Sequence, residues 1–169
     1  YDDPNSMRAE IERLNEVRNK SRLVAGYCWN WVSKNRPDMD DIVISEFEFA
    51  AKWNLASDGS GWITAGDSVR EIGCIHTCQG LELEYVGVII GEDLVVRDGK
   101  VITNPDARAR TDKSLSGYKS LASRSPIEAN MRADAIIKNT YRTLMTRGSR
   151  GCFVFSVDPE TREYFSARM

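Results

Sequence analysis

The chain has 169 residues and a net charge of −2, and 41% of its residues are hydrophobic and 28% charged. This composition is enough for one α/β domain with a buried core, and it excludes an intrinsically disordered chain. No apolar run reaches the ~18 residues of a membrane-spanning helix, and no signal peptide opens the chain, so we expect a cytoplasmic protein without membrane contact. Because the chain opens at Tyr1 rather than at Met, we also expect it to be a fragment of a longer protein.

The first half of the chain predicts one helix followed by strands. Helical spacing of apolar residues predicts a helix that begins at an N-cap pair, Asn5-Ser6, and ends near Lys20. Residues 54–68 are rich in turn formers and predict a surface loop. Apolar runs bounded by charged or turn-forming residues predict buried strands at residues 23–27, 69–76 and 85–91.

The second half predicts a hairpin, a long helix, a strand and a final helix. Asp98-Gly99 is a hairpin signal between the short apolar runs at 94–96 and 100–103. A short helix at 113–121 is predicted next, and Ser125-Pro126 then opens the strongest helix, over residues 127–147. A last strand and helix follow at residues 152–157 and 158–168. The alternation of strands and helices predicts an α/β domain with a mostly parallel sheet.

The small net charge hides an uneven distribution of charged residues. Residues 1–96 carry 9 basic and 17 acidic side chains, whereas residues 97–150 carry 12 basic and 5 acidic ones. A basic segment of this kind is usually a solvated face, but it is also expected where polyphosphate or a nucleic-acid backbone docks. The candidates for docking are six basic residues of this segment: Arg108, Arg110, Lys113, Lys119, Arg124 and Arg132.

Cysteine and tryptophan residues offer weaker signals. Cys74, His76 and Cys78 lie close in sequence, but no second Cys/His pair completes a tetrahedral metal site, so we expect free thiols and no metal. Tryptophans can stack on the bases of a nucleic acid. Because Trp29 and Trp31 follow a predicted buried strand, packing is the favoured interpretation for them.

Polar residues cluster between the second and third predicted strands. His76, Thr77, Gln79 and Glu82 lie in a tight turn that also contains Gly80. Ligands of open α/β sheets bind just outside the carboxyl ends of strands, and a glycine lets the backbone approach a ligand closely. Exposed N–H groups in such a turn can bind a phosphate, so the turn is a candidate binding site.

The end of the long predicted helix carries a second candidate site. Arg147 lies immediately before Gly148, and its planar guanidinium is suited to phosphate oxygens. An arginine at this place also commonly stabilises the negative end of the helix dipole, so both interpretations stay open. Arg142 is a weaker candidate, because it points about 140° away from Arg147 around an ideal helix.

Together, these two stretches resemble the C-terminal RecA-like domain of superfamily 1 DNA/RNA helicases, and more closely the bacterial helicase-like ATPases related to Schlafen proteins. Residues 76–82 (HTCQGLE) are similar to helicase motif V, and residues 141–148 (YRTLMTRG) to motif VI. Residues 22–29 resemble the first strand of that domain. The resemblance implies a RecA-like three-layer α/β sandwich of the P-loop NTPase class, with helices on both faces of the sheet. It covers residues 1–169 as one domain, with a basic excursion at about 97–125.

The resemblance also implies a role for each matched residue. Arg147 is expected to be the catalytic arginine finger that reaches the γ-phosphate of ATP. His76 and Thr77 are expected to contact the nucleic-acid backbone. Nucleotide contacts are expected from four residues, among which Glu82 would accept a hydrogen bond from the ribose: Gln79, Gly80, Glu82 and Arg142.

Half of an ATPase active site is missing from the sequence. The chain has no Gly-x-x-x-x-Gly-Lys-Ser/Thr phosphate loop and no strand that ends in an acidic pair for Mg²⁺. In the family these parts belong to the N-terminal RecA-like domain. The resemblance therefore implies ATP with Mg²⁺ bound between the two domains, single-stranded DNA or RNA as the other ligand, and no ATPase activity for this chain alone. The alternative is a non-catalytic nucleic-acid or protein interaction module that kept the fold.

Overall fold

The computed structural model describes residues 1–54, 61–78 and 80–168. Its α-helices are α1 (Pro4–Val17), α2 (Ile75–Cys78), α3 (Tyr118–Ala122), α4 (Pro126–Met145) and α5 (Pro159–Ser166). Its strands are β1 (Ser21–Ala25), β2 (Ile42–Ile44), β3 (Phe49–Ala51), β4 (Ile72–Gly73), β5 (Leu83–Ile90), β6 (Leu94–Arg97), β7 (Lys100–Thr103) and β8 (Gly148–Ser156). None of the described helices combines the length and hydropathy that a membrane crossing requires.

The central sheet of the described chain has four parallel strands in the order β4-β1-β5-β8. Side chains of a strand alternate between the two faces of a sheet, and each face here is covered by a helix. On one face, Leu23 packs in a core with Met7 and Ile11 of α1. On the other, Val24 packs in a core with Ile137 and other residues of α4. The predicted RecA-like α/β fold, with helices on both faces of a parallel sheet, is confirmed.

Gly87 in the middle of β5 allows α1 to approach the sheet closely. A Cβ atom at this position would lie 2.5 Å from Cδ2 of Leu23 and 3.1 Å from Cγ1 of Ile11. Both distances are shorter than a normal carbon–carbon contact, and Leu23 and Ile11 are fully buried. A side chain at position 87 would therefore displace the Leu23 side chain of β1 and crowd Ile11 of α1.

Three predictions in the first half of the chain need correction. The first helix begins at Pro4, because the carboxylate of Asp3, not the Asn5-Ser6 pair, accepts the N-cap hydrogen bonds. The strand predicted at 69–76 is reduced to β4, because a 3-10 helix forms at Gly66–Arg70 and α2 forms at Ile75–Cys78. Within the surface loop predicted at 54–68, residues 55–60 lie outside the described residues, and Trp62 is fully buried.

The second half follows the predicted order of elements more closely. The Asp98-Gly99 turn joins antiparallel β6 and β7, and both residues have positive φ angles, 50° and 71°, as a two-residue hairpin turn requires. The long helix is α4. The short helix of 113–121 is only α3, and the last strand begins at Gly148, four residues before its predicted start.

An ion pair at the start of α5 gives a pH-dependent contribution to stability. Asp158 caps the helix, and Arg97 donates to both of its carboxylate oxygens, at 2.8 and 2.7 Å. These hydrogen bonds from Arg97, with those from Thr161, lower the pKa of Asp158 from 3.8 to about 2. A lowered pKa in the folded state stabilises the fold above about pH 4, and this contribution is lost as the pH falls towards 2.

We expect Asp158→Asn to lower the free energy of unfolding by about 1–2 kcal/mol at pH 5, allowing for solvent screening of the half-exposed Arg97. Asparagine keeps an N-cap acceptor, so the change removes mainly the charge. Urea unfolding of the unsubstituted protein and of Asp158→Asn, at pH 5 and at pH 2.5, measures the difference in their free energies of unfolding. This difference should be smaller at pH 2.5. A difference that is the same at both pH values would mean that the ion pair is not its source.

Candidate functional site

The turn at residues 76–82 lies between the sheet strands β4 and β5. Its first half is α2, which Cys78 anchors in the core of the α4 face. The hydroxyl of Thr77 donates to Oδ1 of Asn54 at 2.7 Å, whereas His76 is exposed. Gly80 has a φ of +84°, a conformation that favours glycine, and it leads the chain back towards β5.

The predicted nucleotide contacts of the turn lie in its second half. Gly80 and Glu82 are both exposed, so the backbone of one and the carboxylate of the other are open to a ligand. Gln79, which was predicted to contact the nucleotide as well, lies outside the described residues.

Arg147 follows the end of α4 and is held by the helix itself. Its Nε donates to the carbonyl oxygen of Thr143 at 3.1 Å. This contact fits the interpretation that the arginine stabilises the carboxyl end of the helix. In the part of the chain that the structure describes, the two terminal nitrogens of this guanidinium have no hydrogen-bond or ion-pair partner. They are therefore free to bind an anion.

The structure brings the turn and Arg147 together. The backbone N–H of Leu83 donates to the carbonyl oxygen of Arg147 at 3.1 Å. Burial raises the pKa of the Cys78 thiol well above its ordinary value, and the positive charge of Arg147 acts in the opposite direction, so the guanidinium lies close to α2. Arg142, the weaker candidate, is exposed in the last turn of α4 and has no side-chain partner among the described residues.

A groove of about 1070 Å³ opens beside the turn. It lies at the carboxyl ends of β1 and β4, where α/β sheets bind ligands. His76 and Thr77 line one wall, and Trp31 and Arg110 belong to the lining as well. Of the described residues that line the groove, none is acidic and three are basic: Lys34, Arg110 and Lys113.

The candidate role of Arg108 in nucleic-acid docking is wrong. Its side chain is 2% exposed and pairs with Asp93 at 2.8 Å and Asp112 at 2.7 Å, so its charge is neutralised inside the protein. Arg132 forms an ion pair with Glu128 on α4. The other four candidates, Arg110, Lys113, Lys119 and Arg124, are exposed. Two of them, Arg110 and Lys113, line the groove.

The tryptophans divide between the core and the groove. Trp53 and Trp62 are 1% and 0% exposed, which excludes base stacking for both. Trp29 and Trp31 pack against the core of the α1 face, as predicted, but Trp31 also lines the groove. Sequence reasoning did not place Asn54 and Lys34 at the site, because each is more than 20 residues from the turn and no motif marks it.

Cys78 in the turn and Cys74 just before it are buried free thiols. Across residues 1–54, 61–78 and 80–168, no group of three or more His, Cys, Asp or Glu side chains is arranged to hold a metal ion.

The fold is that of a RecA-like α/β domain, and comparison with known proteins gives its family. A family model described as Schlafen group 3, DNA/RNA helicase domain, matches residues 1–158. The chain belongs to this family, and the predicted relation to Schlafen proteins is confirmed. It is also similar to the uncharacterized protein YPL245W of Saccharomyces cerevisiae, with 26% identity over 166 residues, which are 96% of this chain and 35% of that protein. The chain thus spans about a third of this relative, and no solved structure matches it.

Proposed function

We propose that the chain is the second motor domain of an ATP-dependent DNA/RNA helicase or translocase. It would supply the 76–82 turn and Arg147 to an ATP site shared with the N-terminal RecA-like domain of the same protein. The observation that carries this proposal is the main-chain hydrogen bond from Leu83, the residue after the turn, to the carbonyl oxygen of Arg147, which sets the two segments side by side where β5 and β8 begin. Membership of a helicase-domain family supports it.

Arg147 would act on the γ-phosphate of ATP. Negative charge on the transferred phosphoryl group is stabilised by an arginine finger that is already in position when the reaction occurs. The bond from its Nε to Thr143 orients the guanidinium and leaves its terminal nitrogens for phosphate oxygens. Glu82 would accept a hydrogen bond from the ribose, and Gln79 and Gly80 would line the nucleotide. The ligands of Mg²⁺ are expected on the N-terminal domain.

His76 and Thr77 would contact the backbone of single-stranded DNA or RNA. They line the groove, and Leu83, the residue after the same turn, is hydrogen-bonded to the main chain of Arg147. Strand contact and nucleotide contact would thus share one short element. Closure of the cleft between the two RecA-like domains around ATP would then move the residues that contact the strand.

ATP turnover of the isolated chain and of the full-length protein tests the proposal. We expect negligible turnover by the isolated chain, because an arginine finger has no effect where phosphate, metal and attacking water are not positioned. The full-length protein should hydrolyse ATP, and single-stranded nucleic acid should stimulate it. Robust turnover by the isolated chain that depends on Arg147 would contradict the shared site.

A binding module without motor activity is the second candidate. A missing phosphate loop in residues 1–169 is expected for this module and for a second motor domain alike, so the observation that supports the module is the basic lining of the groove, which needs no nucleotide. The upstream part of the gene separates the two candidates. A full-length protein without a phosphate loop, which binds single strands and hydrolyses no ATP, would establish the module.

A further inference from the structure

We propose that the loop at residues 108–114, named here the basic loop, is a second wall of the strand-binding groove. Arg110 and Lys113 would bind backbone phosphates of single-stranded nucleic acid, and an unpaired base would stack on Trp31. The inference rests on the proposed function, because it takes the groove beside His76 as the path of the strand. The basic loop lies outside both helicase-like stretches, and the resemblance assigns it no role.

The basic loop is held in one conformation by a buried cluster of charges. Arg108 donates to Asp93, which follows β5, and to Asp112, which lies within the loop. It also donates to Ser114 at 3.1 Å, and Ser114 in turn donates to Asp112. The side chains of Arg108 and both aspartates are at most 2% exposed. One buried arginine therefore closes the loop on itself and fixes it to the sheet.

Backbone hydrogen bonds bind the basic loop to the segment that carries Trp31. The N–H of Ala109 donates to the carbonyl oxygen of Tyr27 at 2.9 Å, and the N–H of Arg110 donates to Oδ1 of Asn30 at 3.0 Å. The backbone at Ala109 and Arg110 is thus held against this segment, and Arg110 is exposed. Preorganised cations of this kind lose little entropy when they bind a phosphate.

The charge and the aromatic surface of the groove together favour single-stranded nucleic acid. The chain as a whole has 25 acidic and 23 basic side chains, yet the described lining of the groove has basic residues and no acidic ones. Lys34 lies with its Nζ 5.8 Å from the centre of the Trp31 ring, so a cation and a stacking surface are adjacent. The basic residues can bind the backbone phosphates of a nucleic acid. Stacking on an aromatic side chain requires an unpaired base, so the two features together favour a single strand.

The double substitution Arg110→Ala/Lys113→Ala tests the basic loop in the 169-residue chain. Binding of a labelled single strand of about 16 nucleotides is measured by fluorescence anisotropy at several salt concentrations. We expect affinity to fall by at least about tenfold. The plot of log K against log salt should become shallower by about 1.4, as expected for two lost phosphate contacts on a single strand.

A matched control removes the same two kinds of charge from the other end of the sheet. Arg18 and Lys20 precede the amino end of β1, whereas the groove lies beyond its carboxyl end, so Arg18→Ala/Lys20→Ala should change affinity by less than about twofold. Trp31→Leu should weaken binding by roughly tenfold, and Trp31→Phe, which keeps a ring, should restore most of the loss. Urea unfolding confirms that each variant is folded.

The outcomes separate this inference from the proposed function. If Arg110→Ala/Lys113→Ala behaves like the control pair while His76→Ala loses binding, the basic loop is not on the strand path and the proposed function stands. If the unsubstituted chain binds no single strand, the strand-binding part of the proposed function fails as well. If polyglutamate displaces the strand and Trp31→Leu has no effect, the groove takes an acidic protein, which overturns the inference.

Discussion

Arg147→Ala in the full-length protein is expected to slow ATP hydrolysis by about 10³–10⁵-fold while single-strand affinity changes little. The side chain has no described partner except the helix carbonyl of Thr143, so its loss should cost little stability. Its main chain is hydrogen-bonded to Leu83, just after the turn that would contact the nucleotide, and Arg147 is not among the described residues that line the groove. Single-turnover hydrolysis and strand binding, measured on the same preparation, check both parts of the expectation.

Arg150→Ala is the matched control for this substitution. Arg150 lies three residues further along the chain, is exposed and pairs with Glu84 on the surface, so its loss should leave hydrolysis unchanged. Arg147→Lys keeps the positive charge without the planar fork and should recover only part of the rate. Equal rates for Arg147→Ala and Arg150→Ala would show that Arg147 is only a helix-end charge.

Arg108→Met is expected to lower the free energy of unfolding by about 3–5 kcal/mol, a large part of the 5–15 kcal/mol of a typical domain. Methionine keeps an apolar chain in place of the arginine stem but leaves Asp93 and Asp112 buried without their cation. Asp93 also accepts a hydrogen bond from the hydroxyl of Tyr141 in α4, so the substitution is expected to weaken the packing of α4 as well. Urea unfolding followed by circular dichroism measures the change.

Arg13→Met gives the comparison for an exposed pair. Arg13 bonds Glu10 at 2.7 Å, a distance like those of the buried pair, but its side chain is 62% exposed. We expect a much smaller loss of unfolding free energy than for Arg108→Met, because water solvates both charges after the pair is broken. If the two substitutions cost the same, burial of the Arg108 cluster would not be the source of its contribution.

The parts of the fold with strong local signals could be predicted from the sequence. The continuous apolar run of β5, the turn residues Asp98-Gly99 and the Ser125-Pro126 helix start each identify an element without knowledge of its neighbours. The strand β4 could not be predicted in its true length. It has two residues, and its pairing depends on β1 and on a bridge to Trp53, which local patterning does not encode.

In the candidate site, too, features with a local sequence signal could be predicted and features that depend on the tertiary fold could not. The turn and Arg147 could be identified because each has a distinctive local sequence that resembles a known family. The burial of Arg108 could not, because Asp93 is 15 residues away and only the tertiary fold brings the two side chains together. A segment that is basic in sequence therefore divides in space into a buried structural arginine and exposed cations at the groove.

The bond between Leu83 and Arg147 joins two main-chain groups, and no side chain takes part in it. Every residue type supplies a carbonyl oxygen, and every type except proline supplies an N–H. Mutations at position 147, including those designed above, therefore leave this junction intact, so that the removal of the guanidinium can be studied without uncoupling the two segments. Only a proline at position 83 would break the junction itself.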